Sequence, residues 1–145
     1  MLEKRLKETR EKLELKEKEI ALILGVSNKT VSGYETGYDT IPMKNLINYA
    51  NAFNLSLDYL FGLTDENKSY QPIIIDKRAI GQNLKELRRI NNKTQEYVAN
   101  KINIAVGAYS NYENGKYLIS VRTLKGLIRI YNPFSIDKLF DRKVK

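Results

Sequence analysis

The chain repeats itself. Residues Leu6 to Phe61 contain L-K-E-T-R, K-E-K-E-I-A and V-S-G-Y-E-T-G, and residues Leu84 to Phe140 contain L-K-E-L-R, T-Q-E-Y-V-A and Y-S-N-Y-E-N-G in the same order. Arg10 answers to Arg88, Glu17 to Gln95, Ala21 to Ala99, Tyr34 to Tyr112, Glu35 to Glu113 and Gly37 to Gly115, always 78 residues apart. An internal repeat constrains architecture before any other feature does. It divides the 145 residues into units of roughly 60, near the lower limit at which a chain buries its own core, so each must be compact and mostly helical. The expected divisions are a first unit over 1–62, a linker over 63–79 and a second unit over 80–145.

Local signals order the elements within each unit. Leu2, Leu6 and Leu13 stand among Lys and Glu with opposite charges three or four residues apart, an amphipathic first helix. Its pattern covers fewer than two heptads, where a coiled coil needs three or four, and a solvated helix is expected. A second helix over about Glu17 to Leu24 places Ile20, Ala21 and Leu24 on one face. Gly25 then supplies the positive φ of a tight turn, and Ser27 can cap a third helix over about Asn28 to Glu35. Helix, glycine turn and capped helix form a helix-turn-helix. Pro42 suits the first turn of a fourth helix with Leu46, Ile47, Ala50 and Phe53 on its stripe, and Ser56 caps a last short one to Phe61. In the second unit Thr94 caps a helix over Gln95 to Ile102, the third runs from about Val106 to Glu113, and the fourth starts near Ser120. Near Pro133 the offset slips to 79, a one-residue insertion expected in a loop. Between the units, Ile73 to Ile75 is too apolar for a free linker. It is expected either extended in a groove of one unit or paired with the same segment of another chain.

Charge is distributed unequally between the copies. The formal net charge is +8. Residues 1–62 balance nine basic against nine acidic side chains, 63–80 balance three against three, and 81–145 carry thirteen against five. An anionic partner is expected, engaged through the second repeat. With neither cysteine nor histidine, there is no disulfide framework, no thiolate metal site and no common zinc ligand. No metal, cofactor or small-molecule ligand is expected. The longest apolar run, Ile20 to Val26, is far short of the ~20 residues of a membrane span, and the N-terminus is too charged for a signal peptide. A cytoplasmic protein with no membrane partner is the expectation.

Both halves resemble the phage repressor and Cro type of helix-turn-helix, the XRE family of bacterial and phage transcriptional regulators. The resemblance rests on an Arg in the first helix, an Ala in mid second helix and E-x-G after the third, found twice at matching distances. It implies an all-α fold of two tandem five-helix repressor-like domains. The second helix would lie across the DNA backbone and the third would present its N-terminal residues to base edges. If Val26, Val31 and Tyr34 face inward, Asn28, Lys29, Ser32 and Gly33 are left outside. Lys donates to guanine O6 and N7, Asn pairs with adenine N6 and N7, and Gly33 lets the backbone approach. The resemblance places Asn28, Lys29 and Gly33 at base-reading positions, with Ser27, Tyr38 and Lys44 near phosphates. It also makes Arg10 with Glu35, and Arg88 with Glu113, structural ion pairs.

Each copy departs from the family in a different place. A Gln usually opens the second helix and contacts phosphate; Gln95 keeps it, but Glu17 replaces it with a charge that repels phosphate. Val106, Gly107 and Ala108 replace the polar cluster of the second unit's third helix, leaving Ser110 and Asn111 as readers, with Lys116 and Arg122 as general phosphate contacts. Tyr34, Tyr112 and Tyr131 are expected in cores. The leading reading is a sequence-specific binder of double-stranded DNA, a transcriptional regulator and repressor. The competing one is a protein-interaction or oligomerisation module using Val106, Gly107, Ala108 and Tyr109. An enzyme is not expected, since no nucleophile and base, phosphate-cradling loop or metal cluster appears. Whether the chain forms a homodimer is left open, because two reading heads in one chain remove the usual need for one.

Overall fold

A computed structural model describes all 145 residues. The chain is all-helical, in two compact units: Met1–Pro72 together with Lys143–Lys145, and Ile73–Arg142. The first contains α1 (Leu2–Lys12), α2 (Glu17–Leu24), α3 (Asn28–Thr36), α4 (Met43–Phe53) and α5 (Leu57–Leu60). The second contains α6 (Lys77–Ile90), α7 (Gln95–Lys101), α8 (Val106–Glu113), α9 (Val121–Ile130) and α10 (Ile136–Leu139).

Caps fix where these helices begin. Ser27, Ser56, Thr94, Ser120 and Ser135 each accept the backbone N–H three residues on, at 3.0–3.2 Å, and Asp76 does so for α6. Each such cap is worth about 1 kcal/mol. Pro42 is the cap of α4 and lies outside its first turn. Gly25 has φ 68° and closes α2 through its amide to the Ala21 carbonyl, which joins α2 to α3 in the shortest space. The second unit makes this turn with Asn103 at φ 58°, the residue after glycine most tolerant of that conformation. The inserted residue lies in the loop between α9 and α10, where the Asn132–Pro133 peptide is cis.

The cores repeat with the sequence. In the first unit Leu2, Leu6, Ile20, Ala21, Leu24, Val31, Ile41 and Leu46 are buried, and 78 residues on so are Ile80, Leu84, Val98, Ala99, Ile102, Tyr109, Ile119 and Leu124. Past the insertion Leu57, Leu60 and Phe61 correspond to Ile136, Leu139 and Phe140, all buried. Burying one such side chain contributes about 1.5–3 kcal/mol. These residues clamp α3 against α1 and α2, and α8 against α6 and α7, leaving the opposite face of each third helix to solvent.

Several expectations are corrected. Leu13 lies beyond the end of α1 and is 43% exposed. Tyr34 and Tyr131 are buried, but Tyr112 is only half-buried; the interior tyrosine of α8 is Tyr109, fully enclosed at the place of Val31. Of the three isoleucines expected together, Ile73 is buried whereas Ile74 and Ile75 are exposed. The neighbouring residues pair instead with the end of the chain: Gln71 N–H donates to the Lys143 carbonyl at 2.7 Å, Lys145 N–H donates to the Ser69 carbonyl at 2.9 Å, and Tyr70 and Val144 form an antiparallel bridge. The last three residues therefore belong to the first unit.

Candidate nucleic-acid interface

Each third helix is held at its C-terminal end by a buried ion pair. Arg10 Nε and Nη2 donate to Glu35 Oε2 and Oε1 at 2.7 and 3.0 Å, while Nη1 donates to the Leu15 carbonyl. Arg88 makes the same bidentate pair with Glu113 at 2.7 and 3.0 Å and donates to the Lys93 carbonyl. Two parallel bonds fix orientation as well as distance, so each helix is set relative to the one that opens its unit.

The residue that opens the second helix distinguishes the copies. Gln95 Nε2 donates to Glu113 Oε1 at 3.0 Å. Glu17 stands in the same place with a carboxylate that cannot donate when ionised, and its Oε2 is buried without a hydrogen-bond partner. Its charge adds to the bond with Glu35 in raising the Arg10 pKa. Burial pushes the Glu113 carboxyl up, but bonds from Arg88 and Gln95 outweigh it and hold the group below its ordinary range. The unfolded chain then takes up that proton at higher pH than the folded one, so the stabilisation is complete above the ordinary carboxylate pKa of about 4.3 and is lost as pH falls through the depressed value. Acidification below that point should weaken the second unit progressively, and a Glu113→Gln variant should lose much of this pH dependence. Amide hydrogen exchange of α8 against pH checks this.

On α3, Ser27, Asn28 and Lys29 are exposed at the N-terminal end, Ser32 is half-buried, and Tyr38 and Lys44 are exposed beyond it. Gly33 departs from expectation: it is buried, beneath the side chain of Asp39. On α8, Val106, Gly107 and Ala108 are exposed, and Ser110 and Asn111 are half-buried. Ser110 Oγ accepts from Asn114 Nδ2 at 3.3 Å. Gln95 is half-buried and engaged by Glu113, while Lys116 and Arg122 are exposed. Lys93, ahead of α7, and Lys101, at its end, place their ammonium groups 4.6 and 5.5 Å from the Tyr97 ring centroid. Sequence reasoning passes over Asp39, Arg5 and Arg142, none of which stands in a motif. Arg5 donates to the Tyr59 and Thr64 carbonyls and to Asp65. Arg142, counted among the basic excess, is buried against Asp137 at 2.9 Å.

A repeated three-helix core, in which the third helix packs on the first two and leaves its far face to solvent, is the architecture of a helix-turn-helix DNA-binding regulator. A family model described as helix-turn-helix matches residues 6–60 and again 84–139, and the chain belongs to this XRE-type helix-turn-helix family. One relative is the HTH-type transcriptional regulator ImmR of Bacillus subtilis (strain 168), 34% identical over 87 residues that cover 60% of this chain and 68% of the relative. No solved structure matches. No helix is long and apolar enough to cross a membrane, and no cluster of acidic side chains is arranged to hold a metal ion.

Proposed function

We propose that the protein is a cytoplasmic transcriptional repressor that binds duplex DNA sequence-specifically, with the first unit reading the site and the second unit serving as an electrostatic clamp. The observation that carries this reading is the contrast between the exposed ends of the two third helices. Asn28 and Lys29 offer donors and an acceptor to base edges at the start of α3, whereas Val106, Gly107 and Ala108 offer only apolar atoms at the start of α8. The clamp role follows from charge: the exposed lysines and arginines of the second unit suit phosphate, which carries no sequence information. Ser27, Tyr38 and Lys44 would flank the first unit's reading residues on the backbone.

Affinity for duplex DNA should fall steeply with salt, because phosphate contacts release condensed counterions. Neutralising Lys116 or Arg122 should weaken all sequences about equally and reduce the slope of log affinity against log salt by about one for each phosphate no longer neutralised. Fluorescence anisotropy at several salt concentrations tests this; a change of preferred sequence with general affinity intact would contradict the clamp assignment.

The second reading, a protein-interaction surface on α8, is favoured by the exposure of Val106, Gly107 and Ala108 in a row. It loses its aromatic anchor, since Tyr109 is enclosed in its own unit.

A further inference from the structure

Gly33 lies about one turn beyond Lys29 on α3 and brings no side chain to that part of the helix. The space is filled from the loop that follows. The Asp39 amide donates to the Gly33 carbonyl at 3.0 Å, and the Gly37 amide donates to the same oxygen at 3.1 Å, so the loop is clasped to the helix end. The Asp39 side chain then lies on the glycine: a Cβ at residue 33 would meet Oδ2 at 2.5 Å, Cγ at 3.2 Å and Cβ at 3.4 Å. Asp39 as a residue is exposed.

We infer that Asp39 is a base-reading residue, standing where the side chain of residue 33 would project, and that it selects cytosine. The inference rests on the DNA-reading function proposed above. A carboxylate only accepts hydrogen bonds, and the major groove presents two amino donors, cytosine N4 and adenine N6. Adenine N6 lies beside the N7 acceptor, which repels a carboxylate, so cytosine is the better partner. The absent side chain at residue 33 is what makes room, since any Cβ there displaces Asp39. The second unit fills the matching position differently: Asn111, 78 residues on from Gly33, carries its own side chain, and Tyr117 replaces Asp39.

The test selects sites for the full-length protein from a randomised duplex library and then measures competition by single-base variants of the selected site. Asp39→Ala should lose about tenfold of preference for cytosine at one base pair and leave the other positions unchanged. Asp39→Asn should move the preference at that pair toward adenine, whose N6 and N7 an amide matches. Both variants should keep the wild-type helical circular dichroism, because the residue is exposed. If Asp39→Ala binds every sequence more tightly with its base preferences unchanged, Asp39 is only a charge that repels phosphate, and the inference is overturned. Absence of duplex binding by the wild-type protein would instead remove the DNA-reading function and this inference with it.

Discussion

Glu113→Ala is expected to unfold the second unit under conditions where the first stays folded. The side chain of Glu113 is 1% exposed and receives two bonds from Arg88 and one from Gln95. Truncation leaves a guanidinium in a buried site with only the Lys93 carbonyl as acceptor. Losing one partner of such a pair costs about 3–5 kcal/mol, a large part of the stability of a domain this small. Glu35→Ala should cost the first unit less, because Glu17 stays near Arg10 and its charge already acts on that guanidinium. Hydrogen exchange followed separately for α3 and α8 reads both effects. Equal destabilisation of the two units, or an unchanged α8, would contradict this account of the ion pairs.

Glu17→Gln is expected to stabilise the first unit. It supplies the amide that in the second copy donates to the ion-pair carboxylate at 3.0 Å, and it removes a carboxylate whose Oε2 is buried without a partner. A hydrogen bond to a charged group is worth about 1.5–3 kcal/mol, and the net gain should fall below that, because the change also removes the charge of Glu17 that favours the Arg10 guanidinium. The same change removes a negative charge from the start of α2, the helix proposed to cross the DNA backbone, and should tighten duplex binding. A stabilised protein with weaker DNA binding would show that α2 does not approach phosphate.

Much of the architecture is legible in the sequence because the repeat states it twice. Matching Arg, Ala and E-x-G positions locate the helices, and Gly25 with Ser27 locates the turn, since conformation and capping at those positions depend on residue type more than on packing. What is not legible depends on contacts that leave no local pattern. Tyr109 follows three small apolar residues that give α8 no clear sidedness; only its repeat position, 78 residues on from the inward Val31, marks it as interior, and that signal is overridden when the exposed Val106, Gly107 and Ala108 are grouped with it as one apolar face. Helical spacing points Gly33 outward, but it is blind to a loop folding Asp39 back over the glycine. The pairing of Ser69 and Gln71 with Lys143 and Lys145 uses backbone groups alone, which any sequence can supply. The family resemblance gives Gln95 to phosphate; its bond to Glu113 emerges only from the three-dimensional proximity of α7 and the end of α8.

In the function proposed, α3 reads the sequence and α8 contributes little to it. Full-length protein carrying Lys29→Ala, compared with Val106→Ala on a selected site and its single-base variants, tests this most directly. Lys29→Ala should relax discrimination at one or two base pairs by about 1–3 kcal/mol, while Val106→Ala leaves the profile as it was. The opposite pattern, with preferences lost on changing Val106 and kept without Lys29, would contradict this and assign sequence reading to the second unit.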